Sequence, residues 1–261
     1  MDFIFDGVAL SDFGYVVAYD GLRSENTVVS NMTYNTIKPA LYDISRKVSH
    51  NYDANLTTTF IIIKDPCIYN DNFYMTNDEI SELTKWLVRK QYKYFRYIDD
   101  EDITDEVWYK VQNTVDKVIE GENVIGLSIT VNANAPYGYT REVIDNWEDT
   151  SHDIVVHSDE EGYIYPDVII TVNDSGNLSI TNEYENRSTI INNVVAGEVI
   201  QIFGNGINQI ASSIADHELS QDFNYNFVRL CNQYGKYTNT ITTNLPCAIS
   251  MKYRGIRKVG L

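Results

Sequence analysis

The feature that most constrains the fold is a hydrophobic period of two, carried by many short runs between turn residues. That period places successive side chains on opposite faces of an extended strand. The strongest run is Thr57-Thr58-Thr59-Phe60-Ile61-Ile62-Ile63, rich in β-branched residues and ended by Lys64-Asp65-Pro66. Residues 92–98 form a second run, stopping at the acidic turn Asp99-Asp100-Glu101-Asp102. Runs at 107–111, 115–120 and 124–131 follow, the last two joined by Gly121-Glu122-Asn123. Further on, 168–172 and 177–180 flank Asn173-Asp174-Ser175-Gly176 and are expected to form a hairpin. Runs at 189–195, 198–203, 207–211, 224–230 and 247–253 complete the set. Short, regularly spaced strands with turns between them predict a β-sandwich.

One segment has a helical period. Thr76 with Glu79 three residues on has the spacing of a capping box, and Ile80, Leu83, Trp86 and Leu87 form an apolar stripe. Lys85, Arg89 and Lys90 follow where the macrodipole favours cations, so the helix is expected over 77–91. Ala135-Pro136-Tyr137-Gly138 interrupts the strand run, and residues 141–153 are polar and turn-like. The expected domains are therefore 1–135 and 136–261, within a chain of 261 residues.

Charge narrows the function. The formal net charge is −17, nearly evenly divided between the two parts. This argues against nucleic acid and against anionic membrane as partners, since both are bound through clustered Lys and Arg. Four basic residues, Lys252, Arg254, Arg257 and Lys258, lie in the last ten. They are expected to pair with acidic surface, on the N-terminal domain or on a neighbouring copy. No apolar run approaches the roughly 20 residues of a membrane-spanning helix. The acidic start Met1-Asp2-Phe3 has no secretory leader pattern.

A search for chemistry finds no nucleophile elbow, zinc-protease, phosphate-loop or dinucleotide motif. Catalytic residues, metal ligands and cofactors are therefore all expected to be none, and the protein is expected not to be an enzyme. Cys67, Cys231 and Cys247 are widely spaced and read as mostly buried thiols. His152 and His157 beside Asp153 hint weakly at a metal; the simpler expectation is a loop and an exposed strand. The acids at 99–106 and 159–161 read as solvated turns, and a glycosidase-type carboxylate pair is a low-weight alternative. Tyr163, Tyr165 and Tyr184 are candidate saccharide contacts, because tyrosine stacks on sugar faces; the simpler expectation is strand filling.

Several stretches carry a resemblance. Phe3-Ile4-Phe5-Asp6-Gly7-Val8, then Ser11-Asp12-Phe13-Gly14 and Tyr15-Val16-Val17, is similar to the opening of the distal tail proteins of long-tailed bacteriophages. The order that follows is also similar: Phe60-Ile61-Ile62-Ile63, the helix with Trp86-Leu87, Trp108-Tyr109-Lys110-Val111, and Pro136-Tyr137-Gly138-Tyr139. Gly197-Glu198-Val199-Ile200, residues 224–230 and Lys252-Tyr253-Arg254 resemble later features of the family. At 231–239 the family's tight Pro-Gly turn is missing, and this chain has only Gly235 and Asn239.

The resemblance implies a mainly β chain with an α+β N-terminal domain. That domain would be sandwich-like or split-barrel-like with one helix, followed by a sandwich similar to galectins or carbohydrate-binding modules. The last strand would pack back on the first domain. It implies a structural virion component at the phage tail tip, assembled in the host cytoplasm. The expected form is a homohexameric ring joining the tail tube protein to the hub or tail-associated lysin. A receptor-binding protein or a host cell-wall saccharide would be a further partner. The alternative function is a carbohydrate-binding module. Ring contacts are expected from residues 3–19 and 32–59, with Phe3, Phe5, Phe13, Tyr15, Tyr34 and Tyr42 as candidates. The segment 32–59 has a poor pattern for a core and reads as an arm that reaches a neighbour.

Overall fold

A computed structural model describes residues 2–18, 29–41, 43–70, 72–98, 106–204, 208–233 and 235–261. The chain is mostly β. It divides into two units: Met1–Tyr139 with Lys258–Leu261, and Thr140–Arg257. Of the C-terminal stretch only the last four residues belong to the first unit, where Leu261 is buried in the core; the strands Cys247–Tyr253 and Ile256–Arg257 belong to the second.

The first unit is built on a seven-stranded antiparallel sheet. Its order is Val8–Ala9, Asp2–Phe5, Lys93–Ile98, Tyr109–Glu120, Asn123–Ala133, Thr57–Lys64 and Tyr15–Ala18. The runs expected at 107–111 and 115–120 are a single strand. Their polar break, Gln112-Asn113-Thr114, resembles a turn, but Asn113 points inward and is buried. Its Nδ2 donates to the Leu87 carbonyl at 3.2 Å, satisfying an acceptor at the end of the helix.

That helix runs Asn77–Leu87. The capping box forms as its spacing predicts: Glu79 N–H donates to Thr76 Oγ1 at 3.3 Å, and Thr76 N–H donates to Glu79 Oε2 at 2.7 Å. The helix ends four residues earlier than the predicted 91, because Val88 is extended with φ −95° and ψ 105°. Arg89 and Lys90 therefore lie beyond the last turn.

Leu83, Trp86 and Leu87 bury the stripe against Phe3, Phe5, Phe60 and Phe95. Phe3 lies parallel to Trp86 with centroids 5.8 Å apart, and Phe13 stands 4.6 Å from the same indole. Trp86 Nε1 donates to the Phe5 carbonyl at 3.1 Å, which fixes the helix to the first strand. Lys64 ends its strand inside this unit with 2% of its side chain exposed. Its Nζ donates to the Tyr74 carbonyl and meets Glu79 Oε1, both at 2.8 Å.

The second unit is a sandwich. One sheet has the order Val143–Trp147, Cys247–Tyr253, Asp167–Val172, Val199–Phe203, Gln209–Ser212; the other has Ser151–Ser158, Gly235–Thr243, Gly176–Asn182, Arg187–Val194. The apolar faces of Val168, Ile170, Val172, Ile200, Ile249 and Met251 meet Ile154, Val156, Leu178, Ile180, Ile191 and Ile241.

Three expectations fail in this unit. Asn173-Asp174-Ser175-Gly176 does not close a hairpin: Asp167–Val172 and Gly176–Asn182 lie in opposite sheets, so the turn crosses the core. A turn signal marks a reversal but not which partners the strands choose. The polar residues 141–153 contain the strand Val143–Trp147 and the start of Ser151–Ser158, whose polar residues lie on exposed faces. Conversely, 224–229 join no ladder; side chains hold them instead, with Arg187 Nη1 donating to the Phe227 carbonyl at 2.6 Å and Asn224 Nδ2 to the Ser188 carbonyl at 3.0 Å.

Candidate functional site

The strands Met32–Ile37 and Arg46–Tyr52 pair with each other and, among the described residues, with no other strand. Alternating Thr, Tyr and Ile give the first an extended conformation, and the pairing runs from Met32 opposite Tyr52 to Ile37 opposite Arg46. Asp53 N–H donates to the Asn31 carbonyl at 2.9 Å and closes the base of the hairpin. Lys47 Nζ stands 4.8 Å from the centre of the Tyr34 ring, and Lys38 Nζ is 3.6 Å from Asp43.

Beyond its base, where Tyr52 meets Tyr137, neither face of this hairpin is covered among the described residues. Tyr34 is 56% exposed, and Ile37, Leu41, Ile44 and Val48 are more exposed still. An isolated two-stranded hairpin is marginal in water. Five large apolar side chains standing free on it mark a surface made for contact.

The other expected ring residues are placed differently. Phe3, Phe5 and Tyr15 are buried in the unit's own core and offer no free surface, while Phe13 is half-buried and packs on Trp86. The alternation of residues 3–5 signals a strand but not which face is covered. Tyr42, residues 19–28 and the acids at 99–105 lie outside the described residues.

In the sandwich, Tyr163 and Tyr165 lie at one ion pair, while Tyr184 packs on Tyr237. The Arg229 guanidinium lies 3.6 Å from the centre of the Tyr163 ring, and its Nε donates to both oxygens of Glu185 at 3.1 and 3.0 Å. The bonds from Glu185 and the neighbouring Tyr165 hold Arg229 in its charged form, above its ordinary range. Tyr163 and Tyr184 are about half exposed and Tyr165 is half-buried. Tyr184 meets Tyr237 edge-on at 4.9 Å and accepts from Gln233 Nε2 at 3.0 Å.

A second ionic cluster was not legible in the sequence. Glu198, its side chain fully buried, accepts from Ser212 Oγ at 2.5 Å and from Val195 N–H at 3.0 Å, and meets His217 Nδ1 at 2.5 Å. The other ring nitrogen of His217 faces the Asn192 carbonyl at 3.0 Å and Asp222 at 3.5 Å. Burial alone would raise the Glu198 carboxyl, but these bonds and the nearby imidazole outweigh it and hold the group below its ordinary range. Such a group stabilises the fold above the ordinary carboxyl value, and that contribution is lost as pH falls through the lowered one. Wild-type protein is therefore expected to exceed Glu198→Gln in urea stability at neutral pH, with the difference narrowing below about pH 4. A difference constant from pH 7 to pH 3 would contradict this assignment.

His152 and His157 stand on opposite faces of one strand; His152 lies 3.1 Å from Asp145 and stacks on Trp147. The basic tail pairs within the sandwich: Lys252 and Arg254 lie 3.9 and 3.7 Å from Glu142, and Arg257 lies 3.4 Å from Asp159. Its first three cations thus meet acids of their own unit. Burial and the Glu185 carboxylate push the Cys231 thiol up to about 12, and Cys247 is also buried, while Cys67 is exposed, against expectation.

Comparison with known proteins now adds an independent line. Residues 1–135 match a family model described as a phage tail protein N-terminal domain, and residues 137–253 match one described as a phage tail C-terminal domain. Among solved structures, the chain is similar in fold to SPP1 Dit, described as a paradigm of the hub adsorption apparatus in phages that infect Gram-positive bacteria. The TM-score is 0.59 at 13% identity, over 97% of this chain and 98% of that one. No curated protein matches. With both halves of the chain covered by tail models, the protein belongs to this family of phage tail proteins.

Proposed function

We propose that this tail protein is a distal tail protein, forming a homohexameric ring at the tail tip. The ring would join the tail tube to the hub or tail-associated lysin and to the adhesion apparatus. The role is structural and non-enzymatic. The observation that carries the reading is the uncovered hairpin Met32–Ile37 with Arg46–Tyr52. A ring closes through a heterologous contact, one surface of each copy meeting a different surface of the next. An arm without a covering surface of its own supplies one half of that contact. Whole-length similarity in fold to a distal tail protein supports the same reading.

Replacing residues 33–51 with a short Gly-Ser turn tests it. Far-UV circular dichroism and thermal unfolding are expected to persist, because the hairpin contributes nothing to either hydrophobic core. Rings are expected to be lost in electron micrographs; rings that persist without the hairpin contradict the reading.

Tyr163 and Tyr165 at Arg229, together with the exposed Tyr184 ring, favour one additional role, recognition of a host cell-wall saccharide. Pull-down on purified cell wall, reduced by Tyr163→Ala with Tyr184→Ala, would support it. Equal recovery of the wild type and the double variant would contradict it.

A further inference from the structure

We propose that the hairpin arm of one copy docks on a neighbouring copy at the surface carrying Ile68, Phe73, Tyr74, Asp78 and Glu82. The inference rests on the ring reading and names the surface the arm meets. Charge complementarity carries it. Residues 32–52 hold three cations, Lys38, Arg46 and Lys47, against one carboxylate, Asp43, and so are +2 in a chain of −17. All three cations are exposed. Two copies of so acidic a chain repel each other, and a basic arm is the element that approaches acidic surface with a gain.

The arm also needs apolar area to meet its Tyr34, Ile37, Leu41, Ile44 and Val48. In the same N-terminal unit, one stretch offers both properties. Ile68 lies in the short turn Pro66–Tyr69, and Phe73 and Tyr74 immediately precede the helix Asn77–Leu87. They are 58%, 45% and 52% exposed, large values for such side chains in one stretch. Asp78 and Glu82 follow, both exposed and four residues apart, which places them on one face of the helix. Leu83, Trp86 and Leu87 of the same helix are buried, so the helix leaves the acidic pair exposed beside the apolar stripe. Basic and apolar on the arm thus matches acidic and apolar here. Because the two surfaces differ, the contact is heterologous, the kind that ring closure requires, and not the self-complementary contact of a twofold dimer.

Charge exchange in the full chain tests the proposal. Arg46→Glu with Lys47→Glu is expected to weaken assembly about tenfold or more, measured by mass photometry across concentration. Asp78→Lys with Glu82→Lys is expected to do the same, and the four changes together to restore it. Every altered side chain is exposed, so urea midpoints are expected to stay close to wild type. Rings that ignore either reversal, or a fourfold variant no better than its parents, overturn this docking surface and leave the ring reading standing. A wild-type chain that never associates overturns the ring reading itself, and the docking with it.

Discussion

Glu79→Ala is expected to destabilise the N-terminal unit by about 3–5 kcal/mol, the cost of leaving a buried charge without its partner. The stranded charge is Lys64. Its side chain is 2% exposed, and after the substitution its ammonium keeps only the Tyr74 carbonyl at 2.8 Å and the Tyr69 ring at 4.8 Å. The same change removes the reciprocal cap at Thr76. Glu79→Gln separates the two effects, because glutamine completes a capping box but carries no charge. Adding Lys64→Met to Glu79→Ala is expected to recover most of the loss, since a methionine in that place needs no counter-charge. Burial pushes the Glu79 carboxyl up, yet the Lys64 and Thr76 bonds more than reverse this and hold it low. The stabilisation is therefore present at neutral pH and fades as pH falls below about 4. Urea unfolding followed by tryptophan fluorescence measures the three variants against the wild type. A Glu79→Ala cost under 1 kcal/mol, or no recovery in the double variant, contradicts the assignment.

Phe3→Ala is expected to cost about 3–5 kcal/mol, as for other fully buried aromatic truncations. Phe3 is wholly inaccessible and contacts Trp86, Phe95 and Phe60 with centroids 5.8, 5.2 and 5.4 Å away. Removing it opens a void beneath the helix that neighbouring rings, held by their own strands, fill only in part. Tyr34→Ala is the matched comparison. At 56% exposure it is expected to change stability by no more than about 0.5 kcal/mol while weakening assembly. The pair distinguishes a residue that holds the fold from one that meets a neighbour. Equal stability costs for the two substitutions would contradict the placement of both.

These two residues also show how far the sequence can be followed. Local rules worked where neighbours in sequence are neighbours in space. The box of Thr76 with Glu79, the stripe to Leu87 and the strand ending at Lys64 were all legible, because each depends on contacts within a turn or on one strand's alternation. The exposed hairpin was legible in a negative sense, from a segment, 32–59, with a poor core pattern, although at its end Leu56 is buried in the core and residues 57–59 join the core sheet. What failed depends on partners far along the chain. Asn113 separated the runs at 107–111 and 115–120 because its partner is the end of the helix, 26 residues away. The turn at 173–176 was correct as a turn but led to the other sheet, a choice set by Cys247–Tyr253 and Val199–Phe203. Phe3 and Phe5 looked available for contact because alternation does not reveal what covers a face. The Glu198–His217 cluster joins residues nineteen apart through a buried pair and has no signature in composition or spacing. Tyr163 and Tyr165 come together at Arg229, a residue far along the chain.

The central claim is that copies of this chain close into a ring through their N-terminal units. Mass photometry with negative-stain electron microscopy of the full chain tests it most directly, both alone and co-expressed with the hub protein of its own tail. The account predicts a particle of six copies of the 29.9 kDa chain, with sixfold projections that weaken as salt is raised. A chain that stays monomeric at high concentration and beside its hub partner would contradict it.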